Sequence, residues 1–152
     1  MEIIFVAGIH DVGKTYYCNS LNDGIKNYSA SDLINNYKKI KGKIVIDVEE
    51  NQNHLLNALL ELNDKKIYLD GHFCLLGEEN KIKKIPLNVF KETNITKIIL
   101  LYSEPISICE RLKKRDNKDY SVELIEQFQN KEVEYGQEVA NELNIPLVKI
   151  KV

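Results

Sequence analysis

Short apolar runs alternate with amphipathic segments along the chain. Glu2–Ala7 is apolar on successive residues, which is typical of a strand buried on both faces. Ile95–Tyr102 is the most apolar run and is predicted as a central strand. Further strands are predicted at Ile25–Ser29, at Lys66–Asp70 and, as an edge strand, at Pro146–Val152. Alternating strands and helices predict a three-layer α/β fold, with about five parallel strands between two layers of helices.

Helices are predicted where apolar residues recur at helical spacing or where capping residues stand. They are expected at Gly13–Gly24, Asp32–Ile40 with Ser31 as N-cap, Glu49–Leu62, Pro86–Glu92, Pro105–Arg115 and Ser121–Leu143. In the Pro105 helix, the residues expected to face inward are Ile106, Cys109 and Leu112. Lys43–Val48 is predicted to be extended, and Phe73–Ile85 is predicted to be irregular.

Composition limits the classes of protein to which the chain can belong. With 152 residues and no linker or low-complexity stretch, residues 1–152 are predicted to form a single domain. The net charge of −2 gives no electrostatic footprint for duplex DNA. The three cysteines are scattered and form no CxxC pair, which is typical of a reducing compartment. Because no apolar run is long enough to cross a membrane, we expect a cytoplasmic protein with no membrane partner.

The strongest chemical signal is GIHDVGKT at Gly8–Thr15, directly after the first strand. It fits the pattern G-x-x-x-x-G-K-[ST], in which loop amides and a helix N-terminus bind the phosphates of a nucleotide. The glycines permit backbone angles that a Cβ would forbid, Lys14 reaches the β- and γ-phosphates, and the Thr15 hydroxyl is a ligand for Mg²⁺. The loop therefore predicts ATP and Mg²⁺ as cofactors. The residues assigned to nucleotide binding are Gly8, Asp11, Val12, Gly13, Lys14, Thr15 and Tyr16.

A carboxylate ends the strand that starts at Lys66. Asp70 is its last residue, and acids at the carboxyl ends of parallel strands face the ligand crevice. We predict that Asp70 holds the metal together with Thr15, while a turn-forming Asp before Gly71 is the structural alternative. His72 either faces the γ-phosphate or an attacking water, or caps a turn.

Cations cluster at the end of the Pro105 helix. Arg111, Lys113, Lys114, Arg115 and Lys118 stand close together in the sequence. Kinases need cations over the transferring phosphoryl group, because its charge spreads over three oxygens. A solvated helix C-terminus also favours these charges, since they interact well with the helix dipole. Charge alone leaves both interpretations open.

Four segments together resemble the adenylate kinase branch of the P-loop kinases, in particular archaeal adenylate kinases and the small nuclear adenylate kinase isoenzyme. They are GIHDVGKT at Gly8–Thr15, YSASDLI at Tyr28–Ile34, YLDGH at Tyr68–His72 and ERLKKR at Glu110–Arg115. The resemblance implies that Lys14, Asp70, Arg111 and Arg115 are catalytic, with a small lid near residues 113–120. It also implies that Asp32, Asn35 and His72 lie on the side that binds the phosphoryl acceptor.

The acceptor side departs from the pattern of that family. Asn35 stands where the family places an arginine for the acceptor phosphate, and no arginine follows Asp70-Gly71. Lys38 and Lys39 are alternative cations, but they are less specific than arginine because each is a point charge. The sequence therefore does not fix the acceptor.

Three functions follow from these patterns. The first is a nucleoside monophosphate kinase, which needs no general base because its acceptor is already anionic. The second is a kinase for a small hydroxyl compound, such as a nucleoside or metabolite, in which Asp32 would orient or deprotonate the hydroxyl. The third is an ATPase that switches a protein or RNA–protein partner, with His72 near the attacking water.

Overall fold

The computed structural model describes the backbone of residues 1–41 and 48–152 and the side chains of residues 1–36 and 51–152. The extended segment predicted at Lys43–Val48 lies, apart from its last residue, outside the described backbone. Lys38 and Lys39 lie outside the described side chains. Within the described ranges, no helix is long and apolar enough to cross a membrane.

Five parallel strands of the described backbone form the main sheet, in the order β2-β3-β1-β6-β7. The strands are β1 (Glu2–Ala7), β2 (Lys26–Ser29), β3 (Lys66–Gly71), β4 (Cys74–Leu76), β5 (Ile82–Lys84), β6 (Ile95–Tyr102) and β7 (Leu147–Lys151). Ile3 to Ala7 are all buried, because helices cover both faces of the sheet at its middle strand. The sheet confirms the predicted α/β fold of the P-loop NTPase type, with β7 at one edge.

Six helices surround the sheet in the described ranges. They are α1 (Lys14–Ser20), α2 (Ala30–Lys41), α3 (Val48–Leu60), α4 (Leu87–Thr93), α5 (Pro105–Asp116) and α6 (Val122–Leu143). Helix α1 ends before the predicted Gly24, because Asn22 has a positive φ of 48° and the Asp23 carboxylate accepts a hydrogen bond from Ile25 N. The predicted N-cap Ser31 is wrong. Helix α2 begins two residues earlier, and Ser29 Oγ accepts from Asp32 N at 3.4 Å.

Two other details differ from the predictions. The segment predicted to be irregular contains the antiparallel hairpin β4–β5, in which Cys74 pairs with Lys84. Strands of three residues are too short to show alternation in the sequence. In α5 the inward residues are Ile108 and Leu112, whereas Ile106 is 57% exposed and Cys109 is half-buried. The apolar stripe of α5 therefore runs through Ile108 and Leu112, which are four residues apart on one face of the helix. The predicted stripe through Ile106 is wrong.

An aromatic cluster lies between the sheet and the helices. Phe73 is fully buried, with its ring centroid 5.2 Å from that of Phe5 and 4.9 Å from that of Phe90. Helix α6 approaches this cluster closely at Gly136, where a Cβ would lie 2.9 Å from the Phe73 ring. The small residue therefore lets α6 pack directly against the segment that follows β3. The predicted inward stripe of α6 is confirmed. Leu143 is partly buried, and the other four residues are buried: Ile125, Phe128, Tyr135 and Val139.

Candidate functional site

The carboxyl ends of three neighbouring strands bring the predicted site residues together. In the register of the sheet, Val6 of β1 and Ser29 of β2 both lie beside Asp70 of β3. The chain continues from β1 into the loop Gly8–Thr15 and from β2 into α2. The glycine-rich loop, Asp70 and the first turn of α2 therefore share one edge of the sheet, where ligands of open α/β sheets bind.

The backbone of the loop is closely packed at its first glycine. A Cβ on Gly8 would lie 2.7 Å from Val12 Cγ1 and 2.9 Å from Leu101 O, so a side chain does not fit there. Gly13 has a φ of 111° and leads directly into α1. Asp11 also has a positive φ, of 61°. These angles form a compact loop at the helix N-terminus, which is the geometry that binds phosphate through backbone amides.

Lys14 lies between the loop and the segment after β3. Its Nζ donates to Gly8 O at 2.7 Å and lies 3.2 Å from His72 Nδ1. A lysine ammonium group can only donate, so Nδ1 of His72 accepts and its Nε2 carries the proton. Burial lowers the pKa of Lys14, while the negative charges of Glu132, Asp70 and Asp11 oppose that shift.

His72 is a neutral imidazole at this site. Burial is the main cause that lowers its pKa, the positive charge of Lys14 acts in the same direction, and the pKa falls to about 3. The sequence left His72 between a phosphate role and a turn cap. The structure places it against Lys14, although 58 positions separate the two residues in the chain.

The predicted metal ligands differ in exposure. Asp70 is 8% exposed at the end of β3, and burial raises the pKa of its carboxyl group. Lys14 opposes this shift, whereas the negative charge of Asp32 adds to it, so Asp32 acts electrostatically on this edge of the sheet. Thr15 is exposed at the start of α1, and Tyr16 is 83% exposed. Hydroxyl and carboxylate oxygens are the ligands that Mg²⁺ prefers, so Thr15 and Asp70 fit this ion.

The two predicted lid arginines bind the glycine-rich loop itself. Arg111 Nη1 donates to the carbonyl oxygens of Asp11 and Val12, at 3.2 and 3.0 Å. Arg115 Nη1 lies 3.2 Å from the Asp11 carboxylate. Next to this pair, His10 Nε2 lies 3.4 Å from an oxygen of Asp116. Within the predicted lid region of residues 113–120, the first part therefore belongs to the last turn of α5, which contacts the loop.

Glu132 is a buried carboxylate that sequence reasoning missed. It is 1% exposed on α6, and its oxygens accept hydrogen bonds from the backbone N–H groups of Phe73 and Cys74, the shortest at 2.6 Å. Burial raises its pKa to about 7, although these hydrogen bonds oppose the shift. Glu132 thus fixes the backbone next to His72. The sequence did carry a signal, since Glu132 lies between Phe128 and Tyr135 on the inward stripe of α6.

Two cavities meet at His72. The inner cavity has a volume of about 250 Å³ and is bounded by α2, α3, α4 and the sheet, with lining residues that include Phe5, Ser31, Ile34, Leu55, His72 and Phe90. The lid-side cavity, of about 380 Å³, is lined by residues that include Ile9, His10, Leu112, Asp116, Lys118 and Tyr120. Ser31, His72 and Leu75 line both cavities. Asn35 is exposed and is not among the residues that line either one.

Comparisons with known proteins agree with this architecture. Residues 7–129 match the sequence model of the AAA domain family. The chain is also similar to the crystal structure of a gluconokinase from Sinorhizobium meliloti 1021, with a TM-score of 0.52 and 15% sequence identity. That similarity covers 99% of this chain and 82% of the other, and at this identity it shows the fold alone. No curated protein sequence matches the chain.

Proposed function

The chain belongs to the AAA domain family, and on that basis we propose that it transfers the γ-phosphoryl group of ATP to a small-molecule acceptor. The observation that carries the proposal is the convergence of Lys14, His72 and Asp70 beside the glycine-rich loop. A charged lysine is held there by two neutral acceptors, Gly8 O and His72 Nδ1. Phosphate oxygens are stronger acceptors for an ammonium group, because they carry negative charge. Lys14 is therefore prepared to exchange these partners for a phosphate.

The residues of the site divide the work of phosphoryl transfer between them. The loop amides and Lys14 bind the β- and γ-phosphates, and Thr15 and Asp70 hold Mg²⁺, which neutralises phosphate charge when it is bound. Arg115 is an exposed cation on the last turn of α5, a position from which it can turn towards a bound nucleotide. Arg111 instead holds the carbonyl groups of the loop, so its contribution is to fix the loop's shape. Catalysis then rests on positioning and charge stabilisation.

The acceptor has two candidate classes. The resemblance to adenylate kinases favours a nucleoside monophosphate, for which the lid at residues 113–120 would close over both nucleotides. The similar gluconokinase structure is named for a different small molecule, so the fold does not choose between acceptors. The second class is a hydroxyl compound, with Asp32 near its hydroxyl group.

ATP hydrolysis is the second candidate function. It is favoured by the neutral imidazole of His72, which lies beside Lys14 and lines both cavities. Such a group can orient a water molecule towards the γ-phosphate. Hydrolysis of this kind would serve a protein or RNA–protein partner instead of a small-molecule acceptor.

Acceptor-dependent turnover tests the proposal. ADP formation would be measured with ATP and Mg²⁺ alone, and then with nucleosides, nucleoside monophosphates and sugars added singly. We expect at least one acceptor to raise turnover about tenfold or more over the background. An acceptor that is bound beside the γ-phosphate reacts within the complex, which is faster than a chance encounter between two free molecules. Turnover that no acceptor raises, together with steady ADP release in water, would favour the ATPase instead.

A further inference from the structure

The residues that line the inner cavity indicate which class of acceptor fits it. We propose that this cavity binds the acceptor and that the acceptor is an uncharged hydroxyl compound with an apolar body. The inference rests on the proposed phosphoryl transfer and selects one of its two acceptor classes. It depends on the chemistry of the cavity wall, on one unpaired amide and on the position of His72.

The described wall of the inner cavity is largely apolar and carries no charged side chain. Apolar residues such as Phe5, Leu55 and Phe90 make up most of the lining, and its polar members, such as Ser31 and Thr93, are neutral. Burying a phosphate or carboxylate in such surroundings is costly unless a cation or several donors meet it. An apolar body, by contrast, gains free energy when it leaves water for this wall. The described wall therefore favours a neutral group over an anionic one inside the cavity.

One amide oxygen in the described part of the wall lacks a partner. Gln52 Nε2 donates to Val89 O at 2.9 Å and to Thr93 Oγ1 at 3.3 Å, and Thr93 Oγ1 donates to the same carbonyl group. These polar groups satisfy one another. Asn51 Oδ1, however, is buried and has no hydrogen-bond partner among the residues that the structure describes. Asn51 lines the cavity, so a ligand that donates a hydrogen bond would satisfy this oxygen once the side chain turns towards it.

The unpaired oxygen of Asn51 requires a donor and disfavours an anionic group beside it. A hydroxyl group can donate to Asn51 Oδ1. A phosphate dianion has only acceptor oxygens, so it would meet the amide oxygen with like partial charge. Because the ribose hydroxyl groups of a nucleotide can donate as well, the choice between the acceptor classes rests on the apolar wall, and the amide adds that no anionic group lies beside Asn51.

The position of His72 connects the inner cavity to the phosphate site. His72 lines this cavity and also contacts Lys14, so an acceptor held there has one end beside the place of transfer. In the transfer, the acceptor hydroxyl oxygen forms a bond to the γ-phosphorus of ATP, and the bond from that phosphorus to the β,γ-bridging oxygen breaks. The electron pair of the broken bond leaves with ADP, and the hydroxyl proton passes to the Asp32 carboxylate. Asp32 adjoins Ser31 of the cavity wall and is exposed, so it can release the proton to water.

Matched pairs of ligands test the inference. Each pair differs in one charged group: adenosine and AMP, and thymidine and thymidine monophosphate. Binding to the wild-type chain is measured by ligand-observed NMR without ATP, and transfer is then measured with γ-labelled ATP. We expect the neutral member of at least one pair to bind at least about tenfold more tightly than its charged partner and to receive the label.

A variant pair tests the role of the amide. Asn51→Leu removes the unpaired oxygen and keeps the branched shape of the side chain, and Asn53→Leu is the matched control because Asn53 is exposed on the same helix. We expect Asn51→Leu to weaken the neutral ligand about five- to tenfold without lowering the melting temperature. Asn53→Leu should leave ligand binding unchanged.

The outcomes separate this inference from the proposed function. Tighter binding and transfer to the charged members would overturn the neutral acceptor while leaving the phosphotransferase intact. Failure of every pair to bind at millimolar concentration would also overturn it, since that cavity would then not be the acceptor site for these compounds. Neutral ligands that bind but never receive label from ATP would instead count against the proposed phosphoryl transfer.

Discussion

The nucleotide side and the acceptor side of the site are built in opposite ways. On the nucleotide side, charged groups are tied to one another and to the backbone: Lys14 to Gly8 O, Arg111 to two loop carbonyl groups, and Arg115 to Asp11. On the acceptor side, the described wall of the inner cavity is neutral and mostly apolar. His72 lies at the boundary, in contact with Lys14 and lining the inner cavity.

This difference shows which part of the reaction each side controls. Charge that develops on a transferring phosphoryl group is stabilised by fixed cations and dipoles, so the nucleotide side determines the rate. A neutral wall cannot supply that stabilisation, but it discriminates between ligands by desolvation and shape. Variants of the two sides should therefore fail differently, and the predictions below follow that order of effect.

Removal of Lys14 should have the largest effect. Lys14→Ala deletes the cation next to the loop and His72, and the loss of one preorganised group at a transferring phosphoryl costs about 3–4 kcal/mol. That corresponds to a fall in turnover of roughly two to three decades. The measurement is ADP formation with the best acceptor, beside Lys131→Ala, a lysine exposed on α6. If Lys14→Ala keeps turnover within about threefold of wild type, charge on the nucleotide side does not control the rate.

Replacement of Glu132 should act mainly on stability. Glu132→Gln leaves one acceptor oxygen where the carboxylate offers two to Phe73 N and Cys74 N, and its amide N–H groups face those donors. The free energy of unfolding should fall by about 1–3 kcal/mol, the cost of an unpaired buried donor. Urea unfolding measures this, and Glu134→Gln is the control because Glu134 is exposed on the same helix.

The same variant also tests the connection between α6 and the site. Because Glu132 fixes the backbone beside His72, kcat should fall in Glu132→Gln while the KM for ATP changes little. A loss of stability with unchanged kcat would limit Glu132 to a structural role. A Glu132→Gln chain as stable as wild type would show that the buried hydrogen bonds contribute nothing net.

The pH dependence at His72 should be the smallest effect. Its pKa in the folded chain is lowered from 6.5 to about 3, so between these values the unfolded chain binds a proton that the folded chain excludes. Stability is therefore lost as the pH falls through this window, by up to about 1.4 kcal/mol per pH unit. His72→Asn should remove this slope. Unfolding free energies of the two chains at pH 7, 6 and 5 measure it, and parallel curves would mean that His72 is not held neutral.

Local pattern was sufficient for the nucleotide side. The loop Gly8–Thr15 is one continuous segment, and its function depends on residues that are neighbours in sequence, so its glycines and Lys14 were identified directly. The buried strands were equally clear, because burial on both faces requires apolar residues at every position. The weaker predictions, such as Ser31 as N-cap and the inward stripe of α5, failed where a shift of one or two residues decides the contact.

Tertiary structure decided the rest, because those features join residues that are remote in the chain. The order and register of the sheet place His72 against Lys14, and the packing of α6 at Gly136 brings Glu132 to the backbone of Phe73. The inner cavity is formed where α2, α3 and α4 meet the sheet, and no single segment carries its shape. The sequence by itself determined the fold and the phosphate-binding loop, since both depend on local spacing. The shape and the apolar lining of the inner cavity depend on how separate elements pack. The spacing of residues within one segment does not determine that packing.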